Sequence, residues 1–175
     1  MRKIFGILRL TALPEPGPVV VANLSMELKA QERTMWCWAA VAFSVAVHAN
    51  RPSIKNQCQL AVALVDGCFD CADSACNRPG SVRDALAREG IQVDSQPLPL
   101  GADVIELQLA TGPVVCEVKA MPTALLKHVV IIDRLFSDGK VHVSDPDRGA
   151  QNRNAWERKW NLAVLNRKLS SFFLP

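Results

Sequence analysis

From Cys37 to Ala49 the chain is apolar on every side, with Ala and Val at most positions and no polar stripe. That pattern predicts a central helix buried all round, ending near Ala49-Asn50 ahead of Arg51-Pro52. Leu60, Ala61, Leu64 and Val65 share one face of a predicted second helix over 55–65. Ser81-Val-Arg-Asp84 has the form of a capping box, with Asp in place of the commoner Glu or Gln. Gly90 suits the stop, so a third helix is expected from Val82 to Glu89.

Beyond residue 90 the period changes. Ile91 to Val93 predicts a short strand, Pro97 and Pro99 break the chain, and a helix over 102–110 closes at Gly112. Three strand-like runs follow, over 113–118, 127–133 and 140–144. Asp138-Gly139 between the last two is a hairpin signal, so these strands pair antiparallel. A terminal amphipathic helix is expected over 160–172. Helices first and an antiparallel sheet afterwards give an α+β fold. The expected division is a leader or surface arm over 1–22, a helical lobe over about 23–100 and a sheet lobe over about 101–175. Within the arm, Pro14, Pro16 and Pro18 deny a helix, while residues 19–24 read as a short strand or a surface segment.

Composition narrows the class. At 175 residues the chain can bury one core, and 49% hydrophobic with 21% charged residues excludes disorder. No apolar run reaches the roughly 20 residues needed to span a bilayer. Arg9 interrupts the apolar run near the start, and no convincing cleavage site follows, so a Sec signal is not expected. A net charge of +3 decides nothing about nucleic acid. The basic residues Arg148, Arg153, Arg158, Lys159, Arg167 and Lys168 are scattered among apolar ones and read as a solvated face. Neither a nucleic-acid partner nor a cofactor is expected, and a monomer is.

Candidate chemistry centres on Cys37, set between Trp36 and Trp38 at the predicted start of the central helix. The unpaired N–H groups and positive dipole end of a helix start stabilise an anion such as a thiolate. Gln31, six residues upstream, carries an amide able to donate to a developing oxyanion. A thiol needs an imidazole to take its proton, and a third group to orient that imidazole. Among the three histidines, His48 lies about three turns along the same helix, too far to serve. His128 opens the strand that continues Val-Val-Ile-Ile and is placed to face a cleft, whereas His142 alternates with Val141 and Val143. Asp145 follows the return strand of the hairpin, next to where the preceding strand begins. Trp36 and Trp38 read as cleft walls, with plain core packing of similar weight for either alone. Cys58, Cys68, Cys71 and Cys76 form a second group. Two disulfides, free buried thiols and a metal site with the Cys68-x2-Cys71 knuckle are all open there, although only one such knuckle exists. No catalytic metal is expected, and Cys116 reads as a small buried hydrophobe.

Gln31, the five-residue gap and Cys37-Trp38-Ala39 resemble the active-site segment of papain-like cysteine proteases. The fuller Gln-x4-Trp-Cys-Trp-Ala-Ala form is closest to the compact bacterial branch that includes the AvrRpt-type effector proteases of plant pathogens. His128 and Asp145-Pro146 continue that resemblance, which covers roughly residues 26 to 150. Where papain has Gly-Ser before the cysteine, this chain has Met35-Trp36. The resemblance implies a papain-like fold with the cysteine on the helical lobe facing a histidine on the sheet lobe. It implies a Cys37–His128–Asp145 triad, an oxyanion site at Gln31, and hydrolysis of a protein or peptide substrate. Delivery as a bacterial effector or toxin through a dedicated secretion system, with a host or activating protein as partner, is the matching expectation. The papain order of His then Asn offers His142 with Asn161 as a competing constellation. A leader-peptide peptidase, amidase or acyltransferase on the same fold is the rival activity, and a non-catalytic cysteine-rich binding module is the rival class.

Overall fold

The computed structural model describes residues 17–96, 98–119, 127–147 and 158–175. The proline-rich arm up to Pro16, and Arg148 and Arg153 of the basic group, lie outside them. In chain order the elements are β1 Val20–Asn23, α1 Cys37–His48, α2 Gln57–Leu64, α3 Val82–Arg88, β2 Asp94–Ser95, α4 Ala102–Leu109, β3 Val114–Lys119, β4 Lys127–Phe136, β5 Lys140–Ser144, β6 Arg158–Asn161, α5 Leu162–Asn166 and β7 Leu169–Leu174.

Helix α1 begins at Cys37, as its apolar pattern predicts, and buries its residues from Cys37 to Ala42 together with Val45 and Ala46. Its end is built locally. Asn50 adopts a left-handed φ of 54°, and the N–H groups of Asn50 and Arg51 return to the carbonyls of Val47 and Ala46, which closes the helix as a Schellman motif. Helix α3 starts at Ser81, whose Oγ accepts from the Asp84 N–H at 3.1 Å. It stops at Gly90, where φ is +68°. Both ends are those the sequence predicts.

The sheet runs β2-β7-β3-β4-β5-β6, and β1 pairs with the C-terminal part of β4. Every pairing is antiparallel. Val115, Val129, Ile131 and Phe173 face α1, α2 and α3 in one core. Val114, Cys116, Val130, Ile132, Val141, Val143 and Phe172 join Ile105 and Leu109 of α4 and Leu165 of α5 in a second core. Burial on both faces explains why β4 reads as an unbroken apolar run rather than an alternating one. The fold is α+β, with helices on both sides of the antiparallel sheet. Among the described residues no helix is long and apolar enough to cross a membrane.

Two elements depart from the sequence reading. Residues 160–172 form no single helix: β6 and α5 occupy the first part, and β7 begins at Leu169. Leu165, Leu169 and Phe172 have helical spacing, but β7 lies between β3 and β2 and pairs with both. Tertiary pairing overrides the local period. The short strand lies at Asp94–Ser95 rather than 91–93, because Ile91 is drawn into the helical core. Residues 20–23 take the strand alternative, as β1.

Candidate active site

Cys37 is the first residue of α1, so its backbone N–H is among those with no acceptor inside the helix. The turn before it is tied from three directions. Gln31 donates from Nε2 to the Thr34 carbonyl at 2.9 Å, and Trp36 N–H donates to the Arg33 carbonyl at 3.0 Å. Asn77, in the loop that follows the cysteine group, accepts from Met35 N–H at 3.0 Å and donates to Thr34 Oγ1 at 2.9 Å. The Gln31 backbone N–H donates to the Pro146 carbonyl at 2.9 Å, joining this turn to the residue after Asp145.

His128 and Asp145 come from neighbouring strands. His128 is the second residue of β4, and Asp145 follows the last residue of β5. Antiparallel pairing of Ile131 with Ser144 brings the two ends together, and His128 Nε2 lies 2.6 Å from Asp145 Oδ1. The Asp147 N–H donates to the same carboxylate oxygen at 2.8 Å. With Nε2 on Asp145, Nδ1 is the ring nitrogen left for Cys37. Burial disfavours the imidazolium, but hydrogen bonds to Asp145 and Cys37, and the charges of both, outweigh it and raise the His128 pKa from 6.5 to about 10. His128 and Asp145 therefore meet as a hydrogen-bonded pair, and the pull of Cys37 on the His128 pKa sets that cysteine close to the ring. An imidazole so held can carry a proton beside a cysteine and give it up in a reaction.

The alternatives are committed elsewhere. His142 is buried and its Nδ1 bonds Asp133, whose other oxygen accepts from Ser144 Oγ at 2.9 Å. Asn161 caps α5 by accepting from the Ala163 N–H at 2.9 Å. His48 is the last residue of α1, about 16 Å from Cys37 along the axis.

Trp36 and Trp38 are each 1% exposed. Their indole N–H groups donate to the carbonyls of Cys76 at 2.8 Å and Arg78 at 3.2 Å. They are core anchors rather than cleft walls, because both rings pack inward among the helices and their polar atoms are used on the loop behind. That loop is closed by disulfides Cys58–Cys71 and Cys68–Cys76, so the disulfide alternative describes this group, and no metal-binding cluster occurs among the described residues. Cys116 is fully buried, and burial pushes its thiol far above the ordinary range. Sequence reasoning missed Asn77 and the Pro146 carbonyl. Asn77 stands beside Cys76 without periodic context, and a carbonyl leaves no trace in sequence.

A family model for the papain-like cysteine protease AvrRpt2 matches residues 18–161. No curated protein matches the chain. Among solved structures, the peptidase domain of Streptococcus ComA, a bi-functional ABC transporter involved in a quorum sensing pathway, gives a TM-score of 0.55 at 15% identity, covering 86% of this chain and 99% of that one. A double glycine motif protease from an AMS/PCAT transporter, crystallised with its leader peptide, gives 0.52 at 16% identity, covering 89% of this chain and 94% of that one. At these identities both likenesses are of fold. The family match spans most of the sequence, from before β1 through the end of β6, and places this chain in the AvrRpt2 family of papain-like cysteine proteases.

Proposed function

We propose that the chain is an endopeptidase that hydrolyses peptide bonds through Cys37, His128 and Asp145. The observation that carries this reading is the His128–Asp145 pair at 2.6 Å, with Cys37 near enough to help raise the His128 pKa. In this reading the sulfur attacks the peptide carbonyl while the Cys37 N–H and the Gln31 side chain hold the oxyanion. The C–S bond forms, and the C–N bond breaks as His128 gives its proton to the leaving amine. Water then attacks the thioester, with His128 taking its proton, and the free acid leaves. Asp145 holds the ring in the orientation both transfers need. The two disulfides favour a chain that spends time in an oxidising compartment, which suits export by a dedicated secretion system and action as an effector or toxin on a host or competitor protein.

A second reading has one specific support. The two solved structures named above are peptidases from transporters, and one holds a leader peptide, so cleavage behind paired glycines in a small peptide is the alternative. New protein N-termini mapped after incubating native chain and Cys37→Ala with extracts of candidate target cells test the proposal. Ends generated only by the native chain, at sites without paired glycines, support the effector protease. Ends confined to paired glycines favour the second reading, and identical end profiles from both proteins defeat the two together.

A further inference from the structure

Gln57 is a polar side chain 2% exposed at the first position of α2. Its carboxamide uses both ends on the backbone around Gln31. Nε2 donates to the Ala30 carbonyl at 2.6 Å, and Oε1 accepts from the Glu32 N–H at 3.0 Å. Those two groups belong to the peptide units on either side of Gln31, so one side chain fixes both. The Ala30–Gln31 unit is held from its opposite end as well, where the Gln31 N–H donates to the Pro146 carbonyl. One peptide plane thus spans from a buried amide on α2 to the turn that carries Asp145. The mount itself is stiff, because the next residue, Cys58, is bonded to Cys71.

We infer that Gln57 is a positioning residue for oxyanion binding, acting by holding Gln31 in place in the turn that leads into Cys37. The inference rests on the cysteine-protease reading of the site. The carboxamide supplies one donor and one acceptor in this geometry, and a buried clamp that lost either would leave a backbone group without its partner. Because the Gln31 side chain leaves a backbone fixed on both sides, slack in that backbone moves its amide relative to Cys37. A small misplacement weakens a bond that matters only once negative charge develops.

The test measures kcat and KM on a cleaved peptide for Gln57→Leu and Gln57→Glu, each made in the native chain and in Gln31→Ala. If Gln57 acts through Gln31, kcat falls roughly 10- to 100-fold in the native background, less than the hundredfold or greater loss on removing such a donor outright. In the Gln31→Ala background the further loss is within about twofold, since residues acting as a unit are not additive. KM and the rate of Cys37 alkylation by iodoacetamide, which needs no oxyanion, stay near native. Equal losses in both backgrounds, or native kcat in both Gln57 variants, overturn the role while leaving the protease reading intact. Should the Leu variant not fold, Gln57→Met, of similar length and with neither the donor nor the acceptor, decides between these outcomes. A native chain that cleaves no peptide, indistinguishable from Cys37→Ala, removes both readings.

Discussion

The His128 ring is half enclosed and lies between two groups able to carry negative charge, and its protonation follows from that position. Burial alone would hold it neutral at physiological pH, yet its partners win and lift its pKa to about 10. A histidine raised from 6.5 in this way contributes stability that is fully present below pH 6.5 and is lost as pH rises through about 10. The alkaline limb of kcat/KM reports ionisations of the free enzyme, so in the proposed mechanism it falls near pH 10. Asp145→Asn removes the largest of the influences that raise this pKa, and the limb should shift to lower pH. A limb unmoved by that substitution would show that Asp145 does not set the protonation of His128. The pairing of His128 with Asp145 was legible because the hairpin signal at Asp138-Gly139 brings those two strand ends together. Gln57 and Asn77 were not. Side chains bonded to backbone carry no such signal and leave no period, so only the fold reveals them.

At the scale of elements, helix α1 depends on what lies behind it. The Trp38 ring packs so closely on Gly80 that a Cβ there would sit 2.4 Å from Cε2. An indole locked in the core cannot swing aside as a flexible side chain would. Gly80→Ala should therefore cost about 1–3 kcal/mol through overpacking, read as a melting temperature several degrees lower. Unchanged melting would mean that the loop yields and that the contact is not a constraint on α1. Helices α1 and α3 were readable to within a residue, and three of their ends are marked locally, at Asn50, at Ser81 and at Gly90. Strand β7 was not. Its Leu169-Ser-Ser-Phe-Phe run follows Leu165 at helical spacing, and what decides for a strand is the edge of β3, more than 50 residues earlier in the chain. Cross-strand pairing of that kind is invisible to a local window.

Across the whole molecule, the sheet and the helices divide the chemistry. Cys37 lies at the head of a helix in the first core, and β4 and β5 bring His128 and Asp145 together at neighbouring strand ends. The α+β class was legible from helices preceding strands. The short strands β1 and β2, which come from before residue 101 and still join the sheet, were not fixed by that order. Six cysteines occupy the chain, yet four are locked in disulfides and Cys116 is buried and held protonated. Only Cys37 stands beside an imidazole. An epoxide inhibitor directed at thiols requires both a nucleophilic sulfur and a proton donor at the opening ring, so site-resolved mass spectrometry of its adduct reports on the pair directly. The account predicts a single adduct on Cys37 in the native chain and none on His128→Ala over the same time. An adduct formed equally fast without His128, or carried by Cys116 instead, would contradict it.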